Sequence, residues 1–354
     1  MENVLTKNGL KYLPNHIMSE ILNQDIDAFY KSFLLKNEFD GASFLITGAT
    51  GLIGSTLVRC LLCLNSNIRI TIPVRNGEKA EFLFGNKNHC LKIVVCDLQD
   101  YLNNLHEEFD YIVHLASPTA GKYMVEHPVE TYSLAIESTK SILEYSRKVK
   151  VKSFVYVSSL EYYGQNNNDD KINEDFVGFI DYSSMRSCYP LGKRAAEYLC
   201  KAYAHEFGVP VKIARLTQTF GAGMNADDNR VFAQFARSII KGDDIILHTA
   251  GESAKPYCYT VDCVSAILYI ILKGEKGEAY NVANQETYIS IKDLAIFLRD
   301  YFNPYIQVKV EEHPEMGYAP VTKLRLSAHK LESLGWKPHY NLQQMFGRLI
   351  DSMK

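Results

Sequence analysis

The stretch Thr47-Gly48-Ala49-Thr50-Gly51-Leu52-Ile53-Gly54 constrains this 354-residue chain more than any other. It is preceded by the short apolar run Ser43-Phe44-Leu45-Ile46 and followed by Ser55–Leu64, whose apolar residues recur at helical spacing. A strand that turns into a helix across G-x-x-G-x-x-G needs glycine wherever a Cβ would block the turn or the approach of another backbone. The helix that follows points its free amides and positive dipole end into the turn, which suits a phosphate. In this strand–turn–helix setting the pattern predicts a dinucleotide pyrophosphate site built from Gly48, Thr50, Gly51, Leu52, Ile53 and Gly54.

The rest of the chain repeats the alternation. Apolar runs at Ile68–Arg75, Lys92–Leu98, Tyr111–Ser117, Ser153–Ser159 and Pro210–Thr217 read as further buried strands. Helical stretches lie between them, the longest at Val129–Val149. This order predicts an α/β fold with a doubly wound parallel sheet. Residues 42–216 are expected to form this unit, with 217–354 mainly a smaller substrate-binding portion that sends some segments back to it. Residues 1–41 are expected to form a helical extension, since Ile17, Ile21, Leu22, Ile26 and Phe29 share a helical spacing. The extension packs on the main body or on a partner. Residues 164–175, GQNNNDDKINED, read as a polar surface loop.

A net charge of −3 with scattered basic residues gives no case for nucleic acid or an anionic membrane. The longest apolar run, Cys263–Leu272, has ten residues against about 20 needed to span a bilayer, so it reads as a buried helix. No signal peptide is recognisable, and a cytoplasmic protein is expected. Cys60-Leu-Leu-Cys63 has a metal or redox spacing but lies in a helix interior without a second ligand pair. Core packing of thiols is expected, and no metal.

The end of the second strand normally reads the adenine ribose. No acid stands there before Glu78, whereas Arg75 suits a 2′-phosphate, so NADP is favoured over NAD. Asp97, followed by Leu98, suits either an adenine contact or a turn cap. Tyr189 and Lys193 lie four apart, a spacing that any amphipathic helix provides and that decides nothing alone.

Taken in order, TGATGLIG, VHLASPTAG, VSSLEYYG, YPLGK and LESLGWKP resemble the extended short-chain dehydrogenase/reductase family. That family includes nucleotide-sugar 4-epimerases, 4,6-dehydratases and UDP-glucuronate decarboxylases. The resemblance covers Ser43 to about Asp351 and is greatest to the decarboxylases, through HLASP, RSCYPLGKRAAE and DDNRVFAQF. It implies a Rossmann fold and an NAD(P)-dependent oxidoreductase acting on a nucleotide-activated sugar. Tyr189 is then the acid–base, favoured as phenolate by the Lys193 ammonium together with an oxidised nicotinamide ring; Lys193 also bonds the nicotinamide ribose, and Ser159 holds the substrate oxygen. Leu115, Ala116 and Ser117 face the cofactor, and Pro118 the substrate. Glu161 matches a glutamate kept by decarboxylases and dehydratases. Arg230 matches a decarboxylase arginine near the nucleotide, and Arg186, also shared with the decarboxylases, is expected either to reach the diphosphate or to brace the loop.

The chain also departs from its relatives. Leu160 replaces the aspartate of the dehydratases and cannot protonate a leaving hydroxyl. Lys255 replaces a decarboxylase arginine, keeping the charge but losing the bidentate fork. Gln218 stands where an asparagine helps to hold the diphosphate. Three reactions compete: net reduction of a keto sugar, to which Arg75 lends a lean, C4 epimerisation and decarboxylation. A cofactor-sensing scaffold is the reading of another class. A homodimer is expected through residues 129–147 and 190–206, with Leu134, Ile142 and Leu143 as part of the apolar face.

Overall fold

The computed structural model describes residues 19–64, 67–85, 88–118, 120–225, 227–313 and 320–354. Ile17 and the rest of residues 1–18 lie outside them. The chain begins with α1 (Glu20–Ser32), β1 (Ser43–Thr47), α2 (Leu52–Leu64), β2 (Arg69–Val74), α3 (Gly77–Phe84), β3 (Leu91–Val95) and α4 (Leu98–Asn103). It continues with β4 (Tyr111–His114), α5 (Gly121–Glu126), α6 (Pro128–Val149), β5 (Ser153–Ser159), β6 (Lys171–Ile172) and α7 (Cys188–Glu206). Then come β7 (Val211–Leu216), β8 (Gln218–Phe220), α8 (Val231–Lys241), β9 (Ile245–Leu247), β10 (Ala254–Tyr259) and α9 (Thr260–Lys273). The last elements are β11 (Ala279–Val282), β12 (Asn284–Ser290), α10 (Ile291–Phe302), β13 (Val308–Val310), β14 (Arg325–Leu326), α11 (His329–Glu332) and α12 (Leu342–Met353).

Seven strands form one sheet in the order β11-β7-β5-β4-β1-β2-β3, every neighbouring pair parallel. Side chains alternate across it as strand geometry requires. Phe44 and Ile46 join Leu57, Val58, Val264 and Ile267 of α2 and α9 on one face. Leu45, Ile112 and Phe154 join Ile142, Leu143, Ala196 and Cys200 of α6 and α7 on the other. Both faces are covered, which is why these strands read as unbroken apolar runs. The Cys263–Leu272 run lies in α9 and Cys60 and Cys63 are buried in α2, both as expected. Among the described residues no helix is long and apolar enough to cross a membrane.

Two expectations need correction. Residues 164–175 are not all loop: Lys171–Ile172 form β6, which pairs in parallel with β14. The pair is only two residues long, too short for an alternation to show. Ile142 and Leu143 are fully buried against the chain's own sheet, so they offer nothing to a partner copy. On α6 and α7 the exposed apolar side chains are instead Val129, Tyr132 and Tyr198. Of the two positions expected for the N-terminal extension, α1 takes the main body. Leu22, Ile26 and Phe29 enter the core shared with α2, α9 and α12. Its buried Asp25 accepts from Tyr259 Oη at 2.7 Å and from Arg348 Nε at 2.5 Å.

Lys212 of β7 is buried with only neutral partners, donating to Ser153 Oγ at 2.6 Å. Burial lowers its ammonium to about 8 from the ordinary 10.5. Below about pH 8 folded and unfolded chains both hold the proton, and the folded state carries the whole penalty. Stability therefore rises with pH between about 8 and 10.5. Lys212→Met should stabilise the protein at pH 7 by about 2 kcal/mol after the lost hydrogen bond is set against the relieved desolvation. Denaturant titrations of both proteins at pH 7 and 10 check this, the difference shrinking at the higher pH.

Candidate active site

The strand order reverses between β1 and β4, and it is beyond the carboxyl ends of the strands at such a reversal that a doubly wound sheet places its ligand crevice. The glycine loop forms its floor. Gly48 has φ +71°, and a Cβ there would stand 2.7 Å from Ala116 N. A Cβ on Gly54 would stand 2.3 Å from Gly48 O, so this glycine lets α2 pack on the turn. Gly51 differs: it is exposed, and a Cβ would come no nearer than 3.4 Å to Gly48 O. The chain itself does not require glycine at 51, and the bare surface leaves backbone open to a ligand. Thr50, Leu52 and Ile53 are half-buried around it, at the start of α2. The loop thus fits a dinucleotide pyrophosphate on steric grounds of its own.

Arg75 follows β2 directly and is exposed on the same edge. Asp97 acts as a cap: its Oδ1 accepts from Gln99 N at 2.8 Å and Asp100 N at 3.2 Å at the start of α4. Leu98 opens that helix, half-buried. Leu115, Ala116, Ser117 and Pro118 follow β4, all half-buried, opposite the glycine loop.

Tyr189 and Lys193 lie in the first turns of α7, where Pro190 is tolerated because the third amide of a helix has no partner to lose. Ser159 ends β5 two strands from β1. The Ser159 and Ser117 side chains lie beside the Tyr189 phenol and act to lower its pKa; Ser159 Oγ also accepts from Glu161 N at 3.2 Å. The Lys193 ammonium is buried, donates to Val157 O at 2.9 Å, and lies 5.7 Å from the Tyr189 ring centre. Burial lowers it to about 8, against the pull of Glu197 and Glu161.

The chain's own groups work against the phenolate. Burial, and after it the Glu161 carboxylate, raises the Tyr189 phenol above its ordinary value. The groups that oppose the rise are Ser159, Arg186 and Ser117. Lys193 is turned towards a carbonyl instead. Without a further cation the phenol holds its proton at neutral pH.

On the substrate side Arg186 Nη2 pairs with Glu161 Oε1 at 2.8 Å, and its guanidinium carbon lies 5.4 Å from the Tyr189 ring centre. Its other terminal nitrogen, Nη1, is buried without a hydrogen-bond partner. Lys255, in β10, has its ammonium lowered by burial, with Glu161 opposing and Arg186 reinforcing the effect. Glu161, Arg186, Lys255 and Tyr189 therefore form one cluster. Gln218 is half-buried in β8, which pairs with β10. Arg230 is exposed and tied to Asp228 at 2.7 Å. Leu160 is buried with Tyr163 and Ile172, directed away from the cluster.

Two groups around the site escaped the sequence reading. Glu197, one turn beyond Lys193, forms a buried pair with Arg215 at 2.8 Å. His114, in β4, bonds Thr47 and Ser138. A histidine ending an otherwise apolar strand was the available signal for the second.

A model of the NAD dependent epimerase/dehydratase family matches residues 44–283. UDP-glucuronic acid decarboxylase 5 of Arabidopsis thaliana is 28% identical over 312 residues, 85% of this chain and 86% of that protein. The UDP-N-acetylglucosamine 4-epimerase of Methanobrevibacter ruminantium, solved with UDP-N-acetylmuramic acid, superposes with TM-score 0.76 at 20% identity, covering 88% of this chain and 98% of that one. RMD of Pseudomonas aeruginosa, solved with NADPH, gives 0.70 at 23% identity over 88% and 99%. The two structures speak for the fold. The family match spans more than half of the chain, which belongs to the NAD-dependent epimerase/dehydratase family.

Proposed function

We propose that this enzyme transfers hydride between a nicotinamide dinucleotide and a ring carbon of a nucleotide-linked sugar, with Tyr189 moving the accompanying proton. The observation that carries this is the gathering of the Lys193 ammonium, the Arg186 guanidinium and the Ser159 and Ser117 side chains around the Tyr189 ring, beside the glycine turn. A nicotinamide dinucleotide, when bound, supplies the hydride donor or acceptor. Tyr189 Oη takes the proton from a sugar hydroxyl or returns it to a carbonyl. Ser159 holds the same substrate oxygen. Lys193 stands where it would bond the nicotinamide ribose and contribute positive charge. Glu161, Arg186 and Lys255 face the sugar, while Gln218 and Arg230 are assigned to its nucleotide diphosphate. Residues 217–354 contribute most of that side, and two copies are expected to pair through the exposed side chains of α6 and α7.

Arg75 favours NADP(H) and, with it, net reduction of a keto sugar. Arg75→Ala should weaken NADPH about tenfold and NADH little, read by fluorescence titration. Equal losses for the two cofactors would remove the basis of that preference. The likeness to the Arabidopsis decarboxylase supports a second reading, in which the cofactor is reduced and reoxidised within one cycle. Incubation with UDP-, CDP-, GDP- and dTDP-sugars, following 340 nm absorbance and product mass together, separates the two. Net reduction consumes NADPH in proportion to product. Internal redox gives epimerised or decarboxylated product with no lasting absorbance change. Failure of every substrate, with no cofactor bound, would sink the enzyme reading.

A further inference from the structure

We infer that His114 is a positioning residue that sets the Leu115–Ser117 loop against Tyr189 through Thr47, an inference that rests on the proposed function. His114 is buried at the carboxyl end of β4. Its Nε2 meets Ser138 Oγ at 3.2 Å, and that hydroxyl donates to Leu134 O at 2.5 Å. Ser138 has therefore used its proton and accepts from Nε2–H. Nδ1 is then the acceptor, and it meets Thr47 Oγ1 at 2.6 Å. Thr47, having given its proton to Nδ1, accepts the Ala116 amide at 3.3 Å. Each donor in this chain has one acceptor, so one neutral tautomer satisfies all of it. Burial and the nearby Lys193 ammonium hold the imidazole neutral, lowering it to about 3.

The chain's ends give it a role. Thr47 is the residue before Gly48, and Ala116 is the residue before Ser117. Gly48 and Ala116 are in backbone contact so close that a Cβ would not fit. The Thr47 hydroxyl therefore fixes the height of the 115–117 loop over the glycine turn. That height sets where the Ser117 side chain, whose hydroxyl donates to Pro118 O at 3.5 Å, stands beside the Tyr189 phenol. The ring also lies 5.9 Å from Tyr156, over whose face the Lys193 ammonium sits at 4.9 Å. The Ser138 arm, by contrast, only anchors the imidazole to α6.

The two arms can be cut separately. In His114→Asn the amide oxygen replaces Nδ1 and keeps the Thr47 arm. In His114→Gln the amide nitrogen replaces Nε2 and keeps only the Ser138 arm. Both should lose stability alike. The asparagine variant should keep cofactor affinity and turnover within about threefold of wild type, and the glutamine variant should lose about tenfold in each. Thr47→Val, close in shape to the wild type, should reproduce the glutamine defect in a protein that folds normally. Cofactor affinity is read by nicotinamide fluorescence, turnover by product mass and stability by thermal melts. Equal defects in the asparagine and glutamine variants, or full cofactor affinity in Thr47→Val, would overturn the inference alone. A wild-type protein that binds neither NADH nor NADPH would overturn it together with the proposed function.

Discussion

Tyr189→Phe should fold, bind nicotinamide dinucleotide as the wild type does, and lose about 10²–10⁴-fold in turnover, the range that a positioned acid–base contributes. The ring's neighbours are Arg186 at 5.4 Å and the Lys193 ammonium at 5.7 Å, and phenylalanine keeps both contacts. Only the oxygen is removed. What it leaves behind is polar and half-buried: the neighbouring Ser159 and Ser117 hydroxyls keep their own partners, Glu161 N and Pro118 O, and water can take the place of the phenol oxygen. The cost in stability should therefore be small beside the cost in rate. Single-turnover measurement with saturating cofactor isolates the chemical step. A variant that keeps half the wild-type single-turnover rate would show that the proton travels by another route.

The parts of this arrangement that could be read from the sequence are those fixed locally. A glycine turn between a strand and a helix has to be spelled in consecutive residues, and the six positions named from it all fall in the turn after β1 or the first residues of α2. The buried strands announced themselves because a sheet covered on both faces needs apolar side chains on both. Helix amphipathicity told less. An apolar stripe on α6 is the same whether it meets its own sheet or a second copy, and Ile142 and Leu143 meet the sheet. Electrostatics told least. The phenolate is expected from Lys193 together with an oxidised nicotinamide ring; of the two the chain supplies only the ammonium, which bonds Val157 O, while burial and Glu161 dominate at the phenol. Asp97 illustrates a choice that only coordinates make, because a cap and an adenine contact ask for the same residue at the same place. The His114–Thr47 bond joins residues 67 apart, and no spacing rule connects them.

Glu197→Gln should destabilise the protein by about 3–5 kcal/mol, the cost of leaving one member of a buried ion pair without its partner. Glu197 and Arg215 are both fully buried, and the carboxylate takes three hydrogen bonds from the guanidinium at 2.8–3.1 Å. Arg215 Nη1 also donates to Tyr163 Oη at 3.0 Å and Glu174 O at 2.6 Å, and its guanidinium carbon sits 3.5 Å from the Tyr162 ring centre. Tyr163 Oη donates in turn to Asn281 in β11. The network thus joins α7, β7, β11 and the turn that carries Glu161. Replacing the carboxylate with an amide keeps the shape but leaves the Arg215 charge uncompensated. A second consequence reaches the site. Glu197 is the largest influence opposing the desolvation of Lys193, so its loss should move that ammonium below about 8. The stability loss would be expected of any broken buried pair; the Lys193 titration would not. Glu197→Gln/Arg215→Met removes both charges and should recover most of the stability, since buried pairs replaced by apolar groups are often neutral. It should not restore the Lys193 titration. Denaturant unfolding of the single and double variants, with the pH dependence of single-turnover rate for each, measures the two effects apart. A double variant no more stable than Glu197→Gln would show that packing around Arg215, rather than its charge, holds these elements together.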